Sequence, residues 1–228
     1  NTRTKENMTA AIADFELALA KDPGFALAHV GIADCHSMLA HYGHSPAIIA
    51  YPKAKKELQA ALKLNSGISE AHSSLGWVYY DYDLDWENGK RAFEEALRIN
   101  PSNPEANRWY SQLLIANYDP KSLEQINTAL TLNPTSPINK IVQVRILNAF
   151  GKLDEALKAA EKVNESDPAY FLSAYAKIEV LTLQGKYDEA LQVADAAANR
   201  FGNHPTYLTT QGMLLGLAGR HDEARAII

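Results

Sequence analysis

The sequence predicts an all-α chain, a solenoid of helix–turn–helix repeats with no sheet, and three periodic features predict it. The hexapeptides GKLDEA (151–156), GKYDEA (185–190) and GRHDEA (219–224) recur every 34 residues, and a fixed period of that size marks a repeat array. A Pro or a small residue closes each second helix: Pro23, Ser66, Pro101, Pro134, Pro168 and Gly202, at intervals of 43, 35, 33, 34 and 34. Five places earlier stand Ala18, Ala61, Ala96, Ala129, Val163 and Ala197, and three before those stand Phe15, Leu58, Phe93, Ile126, Ala160 and Ala194. Each hexapeptide also has a mechanism. Gly151, Gly185 and Gly219 can take the left-handed conformation that ends a helix. Asp154, Asp188 and Asp222 then fall at the start of the next helix, where negative charge is favoured.

Taken in order, the first helix covers about 4–20 and is the second member of a pair. First helices then follow at roughly 25–40, 69–82, 104–117, 137–150, 171–184 and 205–218, and second helices at roughly 46–64, 86–99, 119–132, 153–166 and 187–201. That makes twelve helices, with a thirteenth begun at Asp222. The repeats are a partial one at 1–25, complete ones at about 26–68, 69–103, 104–136, 137–170 and 171–204, and a partial one at 205–228, all in a single array over 1–228. The repeat at 26–68 exceeds the period by nine residues. The excess is expected in its turn, around 41–50, where Ser45-Pro46 looks like a cap and first-turn proline. Pro52 should kink the second helix or mark its true start. The arithmetic implies a fragment of a longer protein, with Ile227 and Ile228 as an uncovered apolar end.

The runs FELALAKDP (15–23), FEEALRINP (93–101) and LGWVYY (75–80) resemble the tetratricopeptide repeat family. The resemblance covers nearly the whole chain and implies a right-handed α-solenoid. AIADFELALAKDP, ALAHVGIADCHSML, the turn with YGHSP, YPKAK, EAHSSLGW and DYDLDWENGKRAFEEALRINP further resemble the C-terminal repeat region of bacterial signalling proteins. In those proteins a winged-helix, nucleotide-cyclase or Ser/Thr-kinase domain precedes the repeats.

Composition narrows the function. A net charge of −5 over 228 residues lacks the footprint of a nucleic-acid binder, so this segment is expected to bind none. No apolar run is long enough to span a bilayer. One cysteine, Cys35, forbids an internal disulfide and fits a cytoplasmic location, with the periplasmic domain of a membrane-anchored regulator as the alternative. No GxSxG, HExxH, P-loop or GxGxxG motif occurs, so no enzymatic activity, catalytic residue or cofactor is expected. Asp34, Cys35, His36, His41 and His44 have the wrong spacing for a zinc site. Cys35 is read as core, His36 as a helix-interface residue, and His41 and His44 as solvated turn residues.

The family resemblance implies that first helices line a concave groove that takes a peptide or a partner helix. Carried onto this chain, the inward positions are Asp34, Trp77, Tyr80, Arg108, Gln112, Arg145, Asn148, Tyr175, Glu179 and Met213. Aromatic and Arg side chains are the usual anchors of such contacts. Trp77 either grips a ligand or packs between helices, and the arginines either meet a carboxylate or pair with nearby acids. Ser73, Trp77, Ser74 and Arg108 replace the Lys and Asn of relatives that clamp chaperone carboxyl termini, so that ligand is not expected. The expected role is a non-catalytic protein- or peptide-binding scaffold, the sensory or assembly region of a larger bacterial regulator. Small-molecule sensing and self-association through uncapped ends, as a homodimer, are the alternatives.

Overall fold

The computed structural model describes residues 4–202 and 205–227. Among these residues the chain forms α1 (Lys5–Lys21), α2 (Ala26–His41), α3 (Ala47–Leu64), α4 (Ser69–Val78), a π-helical turn (Tyr79–Asp83), α5 (Trp86–Ile99) and α6 (Pro104–Ala116). It continues with α7 (Lys121–Leu132), α8 (Pro137–Ala149), α9 (Leu153–Ser166), α10 (Phe171–Leu183), α11 (Tyr187–Phe201), α12 (Pro205–Leu217) and α13 (His221–Ile227), with no strand. The fold is thus the expected all-α array of helix pairs. Two compact units divide it, Asn1–Asn117 with α1–α6 and Tyr118–Ile228 with α7–α13.

Backbone stereochemistry explains both kinds of junction. Within a pair, each joint carries one left-handed residue: Gly43 (φ 72°), Leu84 (55°), Tyr118 (52°), Gly151 (69°), Gly185 (73°) and Gly219 (77°). In the repeated phrase, the amide after the glycine reaches back five residues, as Lys186 N–H does to the Leu181 carbonyl at 2.9 Å. This satisfies a carbonyl that the helix end leaves free. The same bond closes α2, from His44 N–H to Leu39 O at 2.8 Å. Gly43 therefore does the work of the GKxDEA glycine where the phrase itself is absent.

Between pairs, three junctions use an Asx turn, while α11 ends on a left-handed Gly202 (φ 73°). Asp22, Asn65 and Asn100 leave the helix in extended conformation. Each accepts, through Oδ1, the amide two residues on: Gly24 at 3.0 Å, Gly67 at 2.9 Å and Ser102 at 3.1 Å. A following proline, as at Pro23 and Pro101, forces the preceding residue out of the helical region. The second periodic marker is this stop signal.

The apolar markers are the core. Leu58, Phe93, Ile126, Ala160 and Ala194 are all fully buried, as are Ala61, Ala96 and Ala129. Phe15 and Ala18 are only partly buried. Helices approach closely at these places: a Cβ on Gly76 would lie 2.8 Å from the Phe93 ring. Tyr207, also fully buried, sits with Phe171 and Phe201 in an aromatic triangle that closes the core of α10–α12.

Two expectations are corrected. The nine extra residues of the long repeat do not all fall in its turn. α2 and α3 have 16 and 18 residues, against 13 and 14 in α8 and α9. The turn 42–46 is only two residues longer than 150–152. Helix absorbs the excess because α3 buries Ala50, Tyr51, Ala54 and Leu58 along one face. Pro52 lies inside α3 rather than starting it. It falls in the second turn, and the apolar face on both sides holds the helix together. The first helix expected over 69–82 is α-helical only to Val78, and the π-helical turn then rotates Tyr79–Asp83 out of phase. Ile228, half of the expected apolar end, lies outside the described residues.

Left-handed joints give a direct stability test. Gly185→Ala should cost about 1–2 kcal/mol, because an L side chain is strained there. Leu84 is 71% exposed and already carries that strain. Leu84→Gly should therefore be neutral or stabilising by up to about 1 kcal/mol. Urea denaturation of the two variants checks this, and equal losses in both would remove the left-handed constraint as the reason for glycine.

Candidate functional site

In the first unit, α4 and α6 meet through stacked rings. Trp77 lies 5.6 Å from Trp109, near-parallel, and 5.7 Å from Tyr80. Its third ring neighbour is His41 at the end of α2, 5.8 Å away and edge-on. The Arg108 guanidinium sits over the Trp109 ring at 5.1 Å, a cation–π arrangement. Trp77 is packed against rings of neighbouring helices and remains partly exposed. Gln112, on the same helix as Arg108, has a buried Nε2 with no hydrogen-bond partner.

Beside this stack lies a cavity of about 250 Å³. Asp34, Glu70, Ser73, Ser74, Glu105 and Trp109 are among the residues around it. Ser74 Oγ donates to Asp34 Oδ1 at 2.5 Å. Burial, reinforced by the negative charges of Glu105 and Glu70, outweighs that bond and pushes the Asp34 carboxyl up to about 6. Ser73, 1% exposed, has a buried hydroxyl with no partner.

A second cluster fastens α3 to the π-helical turn. The Tyr51 hydroxyl donates to Asp81, and Tyr51 stacks on Tyr82 at 4.9 Å. Lys55 Nζ reaches Asp83 at 2.5 Å and lies over the Tyr79 ring at 4.9 Å. Burial raises the Asp81 carboxyl, but the nearby His41 imidazole and the Tyr51 hydroxyl bond outweigh it and hold it below the usual carboxylate range. His41 is therefore not a free turn residue. It ends α2 with Nδ1 3.8 Å from Asp81, because the π-helical turn brings that carboxylate to it. Cys35 and His36 are half-buried, and His44 is exposed. Among the described residues no group of three His, Cys, Asp or Glu is placed to hold a metal.

In the second unit, the Glu179 carboxyl is raised by burial while the charge of Arg145 opposes the shift. Asn148, on the same helix as Arg145, has both amide atoms buried and unpartnered. Tyr175 stands one turn before Glu179, and Met213 is half-exposed on α12. A wider groove of about 990 Å³ runs over α7, α8 and α9. Leu123, Leu130 and Leu147 line it together with Lys140, Lys158 and Lys162, and none of the expected inward residues does. Lys140 is engaged there with Asp167 at 2.8 Å.

The ten expected residues thus fall five to each unit. The structure joins Tyr80 to Trp77, Trp77 to Trp109 and Trp109 to Arg108, sets Asp34 beside them, and places Arg145 where its charge acts on Glu179. Sequence reasoning missed Trp109 and Glu105, and it noted Ser73 and Ser74 only as departures from a carboxylate clamp. Trp109 could have been found, since it follows Arg108 in a first helix. The serines give no signal, because small polar residues in helices are usually packing or solvent positions.

Comparison with known proteins agrees with this architecture. Residues 142–207 and 205–228 each match a tetratricopeptide repeat family model. No curated protein sequence matches the chain. Solved structures do. PilW, a widely conserved type IV pilus biogenesis factor, has TM-score 0.72 at 17% identity, covering 90% of each chain. PilF of Pseudomonas aeruginosa gives 0.67 at 18%, over 91% of this chain and 90% of that one. YrrB, described as a repeat protein with an unusual peptide-binding site, gives 0.56 at 23%, over 86% and 97%.

The raised Asp34 pKa has a measurable sign. Folding lifts it from 3.8 to about 6, so the folded chain keeps a proton that the unfolded chain releases. The resulting penalty is absent below about pH 4 and complete above about pH 6. Asp34→Asn keeps an acceptor for Ser74 and should gain up to about 3 kcal/mol over the parent at pH 8, and almost nothing at pH 4. Denaturation at the two pH values checks it; a pH-independent difference would contradict the placement of Asp34.

Proposed function

Taking the chain as a tetratricopeptide-repeat protein, matched by family over residues 142–228 and by fold throughout, we propose that it is a non-catalytic peptide-binding module. One observation carries the reading. The Trp77–Trp109–Arg108 stack fixes aromatic and cationic side chains on adjacent first helices, with a small acidic cavity at its edge. Rigid aromatic and Arg side chains on a preorganised scaffold are what anchors a bound segment. YrrB, of similar fold, is described as having an unusual peptide-binding site, which supports the peptide-binding part of this reading.

A small-molecule sensor is less well supported. The cavity next to Trp109, at about 250 Å³, is smaller than the roughly 300–1,000 Å³ of drug-sized ligand sites. It suits one side chain of a longer ligand. We further propose that the module serves a larger bacterial regulator in the cytoplasm, its occupancy being passed to an output domain by population shift. The likeness of residues 3–150 to the repeat region of such regulators supports this.

The test is retention of random dodecapeptides on an array by the chain and by Trp77→Ala and Arg108→Ala. The expected result is a retained subset that Arg108→Ala weakens by about tenfold. Trp77→Ala should lose both binding and stability, since it empties a packed position. Retention unchanged in both variants would remove this surface as the binding site.

A further inference from the structure

The Asp34 cavity has features that aromatic packing does not require. Asp34 on α2, Glu70 on α4 and Glu105 on α6 bring three carboxylates around one small space. Among the described residues, none of the three is in a salt bridge, although exposed Glu70 and Glu105 have room for one. The charges acting on Asp34 are both negative. A partly buried carboxylate among like charges is costly unless a cation meets it. Ser73, one of the residues around the cavity, adds an independent sign: it is more than nine-tenths buried and its hydroxyl has no hydrogen-bond partner. Buried polar groups are almost always paired, so an orphan facing a cavity marks a place where a ligand atom belongs.

We propose that this cavity binds the guanidinium or ammonium end of an Arg or Lys side chain on a bound peptide. The inference rests on the peptide-binding reading and names the side chain that the first unit selects. Asp34 Oδ1 accepts from Ser74, leaving Oδ2 for the incoming donor. Ser73 Oγ accepts a second N–H, and Glu70 and Glu105 flank the entrance with charge. Trp109 lines one side of the space. Arg108 is held against its ring and is not among the lining residues. The volume of about 250 Å³ fits one long side chain rather than a whole metabolite. The carboxylates do not converge as metal ligands would.

The dodecapeptide array tests the inference separately from the reading beneath it. Peptides retained by the parent chain should be enriched in Arg or Lys. Replacing that residue by citrulline, which keeps shape and loses charge, should weaken a retained peptide by about tenfold or more in fluorescence anisotropy. Asp34→Asn should abolish the distinction between arginine and citrulline while melting no lower than the parent. Glu105→Gln, at an exposed position, should reduce it by a smaller factor. Retained peptides without basic enrichment, or equal discrimination by Asp34→Asn, would overturn the pocket and leave peptide binding intact. An array that retains nothing would overturn both. Free agmatine or spermidine binding more tightly than any peptide would overturn the side-chain assignment in favour of a soluble cation.

Discussion

No helix in this chain can bury its apolar stripe alone, and everything else follows from how its neighbours cover it. The contact that sets the spacing is a small residue against a large one. Ala61, Ala96 and Ala129 are excluded from water one turn from Leu58, Phe93 and Ile126. Gly76 lets the Phe93 ring approach to a distance that no Cβ would tolerate. Because each repeat satisfies its core only through the next, stability is a sum over neighbouring interfaces. A partly buried helix such as α1 shows the same rule from the other side.

The joints turn that packing into a repeat. A left-handed residue reverses the chain within each pair, and Asx turns and X-Pro stops reverse it at several junctions between pairs. These are local rules, written in single residues, and so they survive where the longer phrase is lost. Gly43 closes α2 with the same back-bond as Gly185 closes α10. Leu84 and Tyr118 take the same conformation without glycine, at exposed positions. The period is a backbone requirement first and a sequence motif second.

Irregularity is what equips the first unit. The long helices α2 and α3 bring Tyr51 and Lys55 onto the π-helical turn, which delivers Asp81 to His41 and sets Tyr80 against Trp77. That clamp holds one edge of the aromatic stack, and the stack forms one wall of the Asp34 cavity. The regular second unit presents instead a wider, lysine-rimmed groove over α7–α9. Two different surfaces thus arise from one repeat, by changes in helix length and in a few inward residues.

Sequence by itself determined the fold class, the helix order and the core positions, because proline stops and left-handed glycines act over fewer than ten residues and recur at a period that can be counted along the chain. The family resemblance pointed to Asp34, Trp77, Tyr80 and Arg108 as inward positions. Only the tertiary structure decided what surrounds those residues. Whether Trp77 packs or projects depends on Trp109 from another helix. The Asp34 environment depends on Ser74, Glu70 and Glu105, which are 36 or more residues away. The destination of the nine extra residues was equally hidden, since a longer turn and two longer helices have the same length in sequence. Burial, partnership and charge balance are properties of neighbours in space, and no local pattern carries them.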